Sequence, residues 1–206
     1  MISGVVFWPQ PPLLLPEYAS AADLGAAVRR AAFEALAAVR PESGPVLLLT
    51  GAERCAPLGE RVARALLQQA GAGEPDAVIR VAVDADAAAV AEAADRVRAA
   101  AAAADGPVTL LVAGDGTARA SVGAPERADL ETRAADERIA AALAAADPAP
   151  LAALTASEGA ELLISGRLPW QVAAAALTGR RPRSAYAWFD CPYEVGYHVA
   201  AWRMTE

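Results

Sequence analysis

The side chains best suited to chemistry in this 206-residue chain fall in four short segments, Trp8–Pro12, Thr50–Cys55, Gly114–Arg119 and Asp190–Glu194. Together they offer Gln10, Glu53, Cys55, Asp115, Thr117, Arg119, Asp190, Cys191 and Glu194. Carboxylates beside a thiol and a guanidinium could ligate a metal, or exchange protons without one, provided at least two converge in one pocket. Asp115 lies between glycines in "GDGTAR". The glycines let a carboxylate stand at a strand end with backbone close by, but the same stretch suits a turn in which Asp115 accepts from nearby amides. The stretch lacks the G-x-G-x-x-G spacing of a dinucleotide site.

Other nucleophile and base chemistry is poorly supplied. The single histidine, His198, shares a strand face with Gly196, Ala200 and Trp202, opposite Val195, Tyr197 and Val199. A packed residue is the simpler reading, since a catalytic or ligating imidazole needs partners at fixed geometry. No G-x-S-x-G elbow accompanies it. Cys55 and Cys191 have no C-x-x-C partner; a redox role competes with the reading of each as a small buried hydrophobe. All 18 cationic residues are arginine. The absence of lysine removes Schiff-base chemistry and the phosphate-loop lysine.

These segments need a scaffold that brings them together, and the apolar patterning supplies one. Short β-branched or leucine-rich runs at 3–7, 45–51, 77–83 and 108–116 predict buried strands. Helical patterns fall between them: one from Ser20, with Ser20 and Asp23 at capping-box spacing, then others over 57–70, 86–104 and 131–146. Two shorter helices follow, one with Thr155 and Glu158 as a second capping box and one starting on Pro169. The alanine-rich helix at 86–104 reads as one that packs closely on a sheet, with partner binding as the lesser alternative. "SAYAWF" and "EVGYHVAAW" close the chain as an antiparallel pair. Alternating strands and helices predict one three-layer α/β domain over residues 1–206, with a mixed, mostly parallel sheet flanked by helices. Ligands of such sheets bind beyond the carboxyl ends of the strands, where the four segments meet.

Composition narrows the partners. A net charge of -7 and a pI near 4.8 argue against a nucleic-acid surface. Two cysteines are too few for a disulfide framework. No apolar run reaches the length of a membrane span, and no arginine precedes Arg29 to make a signal-peptide n-region. A cytoplasmic protein without membrane contact is the expectation.

Five stretches, "PQPPLLLPE", "LLVAGDGTARASVGAPE", "AALAAADPAPLAAL", "GRLPWQV" and "CPYEVGYHVAAW", occur here in the order seen in class III extradiol ring-cleavage dioxygenase-like proteins. The chain resembles an uncharacterised actinobacterial branch of them, at both ends and over most of its C-terminal half; residues 55–105 match only in pattern. The resemblance implies the same α/β fold. Active members hold Fe(II) with two histidines and a carboxylate, leaving room for a catechol and dioxygen, and a further histidine acts as acid/base. Carried over, the first ligand position is Gln10, the second Ala52, the acid/base position Ala118 and the carboxylate position Ile164, with Glu161 one helical turn away. The fold is therefore expected without the family's metal chemistry, and no cofactor is expected. A non-catalytic protein follows, binding a small molecule or a protein in the old cleft, and the resemblance implies self-association as well. Exposed aromatics at Trp8, Trp170 or Trp202 would mark a contact surface, with core placement as the alternative. The competing reading is an enzyme with a rebuilt site: Asp115, Thr117 and Arg119 as catalytic groups, Glu53 and Cys55 as ligand contacts, or residual dioxygenase-type activity.

Overall fold

The computed structural model describes residues 1–18, 22–41, 44–52, 57–119 and 126–205, and of 126–129 the backbone alone. Six strands form one sheet in the order β3-β2-β4-β1-β6-β5. They are β1 (Ile2–Trp8), β2 (Val46–Ala52), β3 (Ala77–Ala82), β4 (Val108–Ala113), β5 (Arg181–Asp190) and β6 (Tyr197–Thr205). The first four run parallel, with Trp8 opposite Ala113 and Leu49 opposite Val112. β6 adds antiparallel to β1, and β5 antiparallel to β6. The mixed, mostly parallel sheet is the architecture that the alternation of elements predicts.

Helices cover both faces, as a parallel sheet requires. On one side α1 (Ala26–Val39) and α2 (Leu58–Gln69) pack over Val6, Trp8, Val46, Leu48 and Leu111. On the other lie α3 (Ala87–Ala103), α4 (Glu126–Ala145), the short α5 (Ala149–Ala152) and α7 (Arg167–Ala176), over Val5, Phe7, Leu47, Leu49 and Leu110. A further short helix, α6 (Ala156–Glu161), leads into α7. The odd and even residues of β1 thus feed opposite cores, as a two-residue period demands. Trp8, Trp170 and Trp202 are each at most 1% exposed, so none marks a contact surface. The indoles of Trp8 and Trp202 donate to the carbonyls of Ala32 and Leu143, at 2.9 and 2.7 Å.

Several boundaries move from their expected places. α1 begins at Ala26, because Asp23 takes a left-handed backbone (φ 39°) and its carboxylate receives the Arg29 guanidinium instead of capping a helix; Ser20 lies outside the described residues. β4 ends at Ala113, which leaves Gly114–Gly116 beyond the sheet. α4 starts five residues earlier than the apolar pattern suggests and α7 two residues before Pro169, which sits inside the first turn. Thr155 does cap α6, its Oγ1 accepting from Glu158 N. The alanine-rich α3 buries a single stripe, Ala93, Ala94, Val97 and Ala101, against the sheet and α7. No helix among the described residues is long and apolar enough to cross a membrane.

Candidate functional site

Three chain segments are knotted together at the carboxyl edge of the sheet, and Asp115 is the knot. Its Oδ1 accepts from Gln10 N at 2.7 Å, its own N–H donates to Ser165 Oγ at 2.9 Å, and its carbonyl accepts from Gly166 N at 2.9 Å. The exits of β1 and β4 are thereby fastened to the entrance of α7. Asp115 does bond backbone amides, but the amide belongs to a residue 105 positions away rather than to a local turn.

Gln10 is 5% exposed. Its amide and the Thr50 hydroxyl sit against Gly59 so closely that a Cβ there would lie 2.3 Å from Gln10 Oε1 and 2.4 Å from Thr50 Oγ1. Gln10 Nε2 stands 3.5 Å from Ser165 Oγ. Gln10, Gly51, Asp84, Ile164, Ser165 and Arg167 line a cleft of 360 Å³, which Ala85, Ala156, Ala160 and Leu168 make largely apolar. Its size is at the lower end for small-molecule sites.

The remaining candidates scatter. Ala52 ends β2 half-buried. Ala118 is half-buried, its N–H donating to Leu162 O. Ile164 is 4% exposed and belongs to the core while touching the cleft. Arg119 donates to the Glu161 carbonyl at 2.8 Å, and the exposed Glu161 carboxylate accepts from Ser157 Oγ. Glu161 does not line the cleft that Gln10 lines. Glu53 and Cys55 lie outside the described residues.

Thr117 belongs to a second arrangement. Its Oγ1 donates to Asp136 Oδ2 at 2.6 Å and its N–H to Oδ1 at 3.1 Å, while His198 Nε2 lies 2.9 Å from the same Oδ1. The His198 and Asp136 side chains are 1% and 3% exposed. Phe189 stacks on the imidazole with ring centroids 4.6 Å apart, and Trp170 meets it edge-on. His198 is therefore a packed residue with a carboxylate partner, on the strand face the alternation assigned to it. A neighbouring cavity of 430 Å³ is lined by Thr117, Asp136, Phe189, Cys191 and Glu194 among others. Desolvation around the Cys191 sulfur, then the carboxylates of Asp136 and Asp190, push its thiol above the usual range, the opposite of what a reactive thiolate needs.

Asp136, Ser165 and Arg167 are the site residues that sequence reasoning missed. Asp136 carried a signal: it interrupts the stripe Ala135, Ile139, Ala142 and Leu143 that α4 buries. Ser165 and Arg167 carried none, because their role depends on where α7 starts. No group of three or more His, Cys, Asp or Glu side chains among the described residues is placed to hold a metal ion. No family model matches the chain, and no curated protein matches it.

Proposed function

We propose that this chain is a binding protein, a non-catalytic relative of the class III extradiol dioxygenases, whose cleft at the carboxyl edge of the sheet takes a small organic molecule without a resident metal. The observation that carries the reading is Gln10, at the position to which the resemblance assigns a first ligand, which is buried and packed by its neutral amide against Thr50 and Gly59. Fe(II) of the facial type needs two imidazoles and a carboxylate. Gln10, Ala52 and Ile164 offer one amide between them, so the residues present do not fit that ion, and Ala118 brings no acid/base group. Asp115 does not readily replace them, since Oδ1 is engaged by the Gln10 amide and the residue positions three segments. What survives is a cleft with apolar walls and a few polar groups, the usual make-up of a ligand site.

The test is anaerobic loading with Fe(II), elemental analysis, then dioxygen uptake with catechol. The expected result is no stoichiometric iron and no uptake above buffer. One iron per chain with catechol-dependent uptake would overturn the reading in favour of a residual dioxygenase.

A further inference from the structure

We infer that the ligand of this cleft is a small organic acid with an apolar body, its carboxylate received by Arg167 and Ser165. The inference rests on the reading of the cleft as a binding site and names the chemistry of what enters it.

Arg167 stands out among the arginines of the described residues by its surroundings. Arg29, Arg61, Arg64, Arg80, Arg98 and Arg138 are each paired with a carboxylate, while Arg40, Arg96, Arg119, Arg180 and Arg203 donate to backbone carbonyls. Arg167 has no such pair among the described residues, although it is half-buried in the wall of the cleft. Its Nη1 donates to Gln171 Oε1 at 3.1 Å, a neutral acceptor. That acceptor is itself fixed, because Gln171 Nε2 donates to Leu154 O at 2.6 Å and to Ala152 O at 3.3 Å. The arginine stem lies on Gly159, where a Cβ would come within 2.6 Å of Cδ and 2.8 Å of Nε. A glycine below and an anchored amide beside it hold the guanidinium in place while leaving most of its five donors for something else.

Helix stability does not account for this placement. Arg167 is the first residue of α7, and a cation in the first turn opposes the helix dipole. Burial alone also disfavours the charged form, and desolvation holds the Arg167 pKa below its ordinary value. A cation placed against both effects, facing a cavity, is what an anionic ligand would offset.

Ser165 supplies a second donor. Its Oγ accepts from Asp115 N at 2.9 Å and lies 3.5 Å from Gln10 Nε2. Both contacts use lone pairs, so its O–H proton has no acceptor among the described residues and can serve a carboxylate oxygen. Asp84 also lines the cleft and makes no ion pair with Arg167 among the described residues. The apolar lining by Ile164, Leu168, Ala85, Ala156 and Ala160 favours a hydrocarbon body, and 360 Å³ limits it to one ring or a short branched chain.

The experiment is calorimetric titration of the full chain with benzoate and isovalerate, and with their neutral counterparts benzamide and isovaleramide. The acids are expected to bind at least about tenfold more tightly than the amides, one charge-assisted bond's worth of discrimination. Arg167→Gln should abolish that preference, the acids losing at least the roughly tenfold by which they exceeded the amides. Arg167→Lys should retain part of it, since a lysine keeps the charge but not the bidentate fork. Arg98→Gln, a surface control, should change nothing. Equal binding of acids and amides, no acid binding at all, or an acid preference that survives Arg167→Gln in a folded variant would overturn the inference. Ala160→Trp, which fills the exposed wall of the cleft, separates the two readings. Acids and amides that bind alike and are both blocked by it would sink the acid inference and keep the binding cleft. Binding indifferent to Ala160→Trp would sink both.

Discussion

At the scale of single residues, the most consequential group is one with no visible role in the cleft. Asp136 holds Thr117 through two bonds and His198 through a third, all inside the core. A buried carboxylate is tolerated when most of its lone pairs are engaged, and here three contacts occupy three of about four sites. Asp136→Ala should strand the Thr117 and His198 donors and cost about 3 kcal/mol. Urea unfolding of the variant measures it, and a loss below about 0.5 kcal/mol, the range of an indifferent surface change, would show that the network contributes nothing. The same Thr117 was singled out from sequence as a catalytic candidate, for its place after "GDG". Its hydroxyl serves instead to fasten the loop after β4 to α4. That distinction was not legible locally, because the partner lies 19 residues away on a helix, and nothing in the loop itself says that the helix returns to it.

At the scale of elements, the site depends on how strand exits are fixed to the helices that follow. α2 and β3 are joined by Glu60, whose Oε1 accepts from Arg64 at 2.9 and 3.1 Å and whose Oε2 accepts from Arg80 at 2.9 and 2.6 Å. Burial pushes the Glu60 pKa up, but the hydrogen bonds and charges of the two arginines more than offset this and hold it below its ordinary 4.5. Folding therefore favours the charged form. The contribution is fully present above 4.5 and is lost as the pH falls through the lowered folded value. Glu60→Gln should cost about 1 kcal/mol at pH 7, a value kept small because both guanidinium groups are partly exposed. The difference from the parent chain, followed by urea unfolding from pH 7 to pH 3, should shrink below 4.5; a difference constant across that range would mean that charge is not its source. The strands and helices themselves were legible from period and apolar content, while their ends were not. α7 illustrates the reason. Pro169 looks like a first helical residue, yet the bond from Gly166 N to the Asp115 carbonyl, between segments far apart in sequence, lets the helix begin at Arg167.

At the scale of the whole molecule, strand order decides which residues can meet. β1 lies between β4 and β6, and β2 beside β4, so the ends of β1, β2 and β4 open at one edge and place Gln10, Gly51 and Asp115 within one neighbourhood. The prediction of an α/β sheet was enough to expect ligand chemistry there. It was not enough to find the wall opposite, built from α6 and the start of α7, because no local pattern marks a helix entrance that closes a cleft. The central claim is that this cleft binds its ligand without a metal. The most direct measurement is the affinity for benzoate of chain stripped exhaustively with chelator, compared with the same chain after anaerobic addition of Fe(II). The account predicts the same affinity in both states. Binding lost on stripping and restored by Fe(II) would contradict it, and would mean that residues other than Gln10, Ala52 and Ile164 hold iron at this edge.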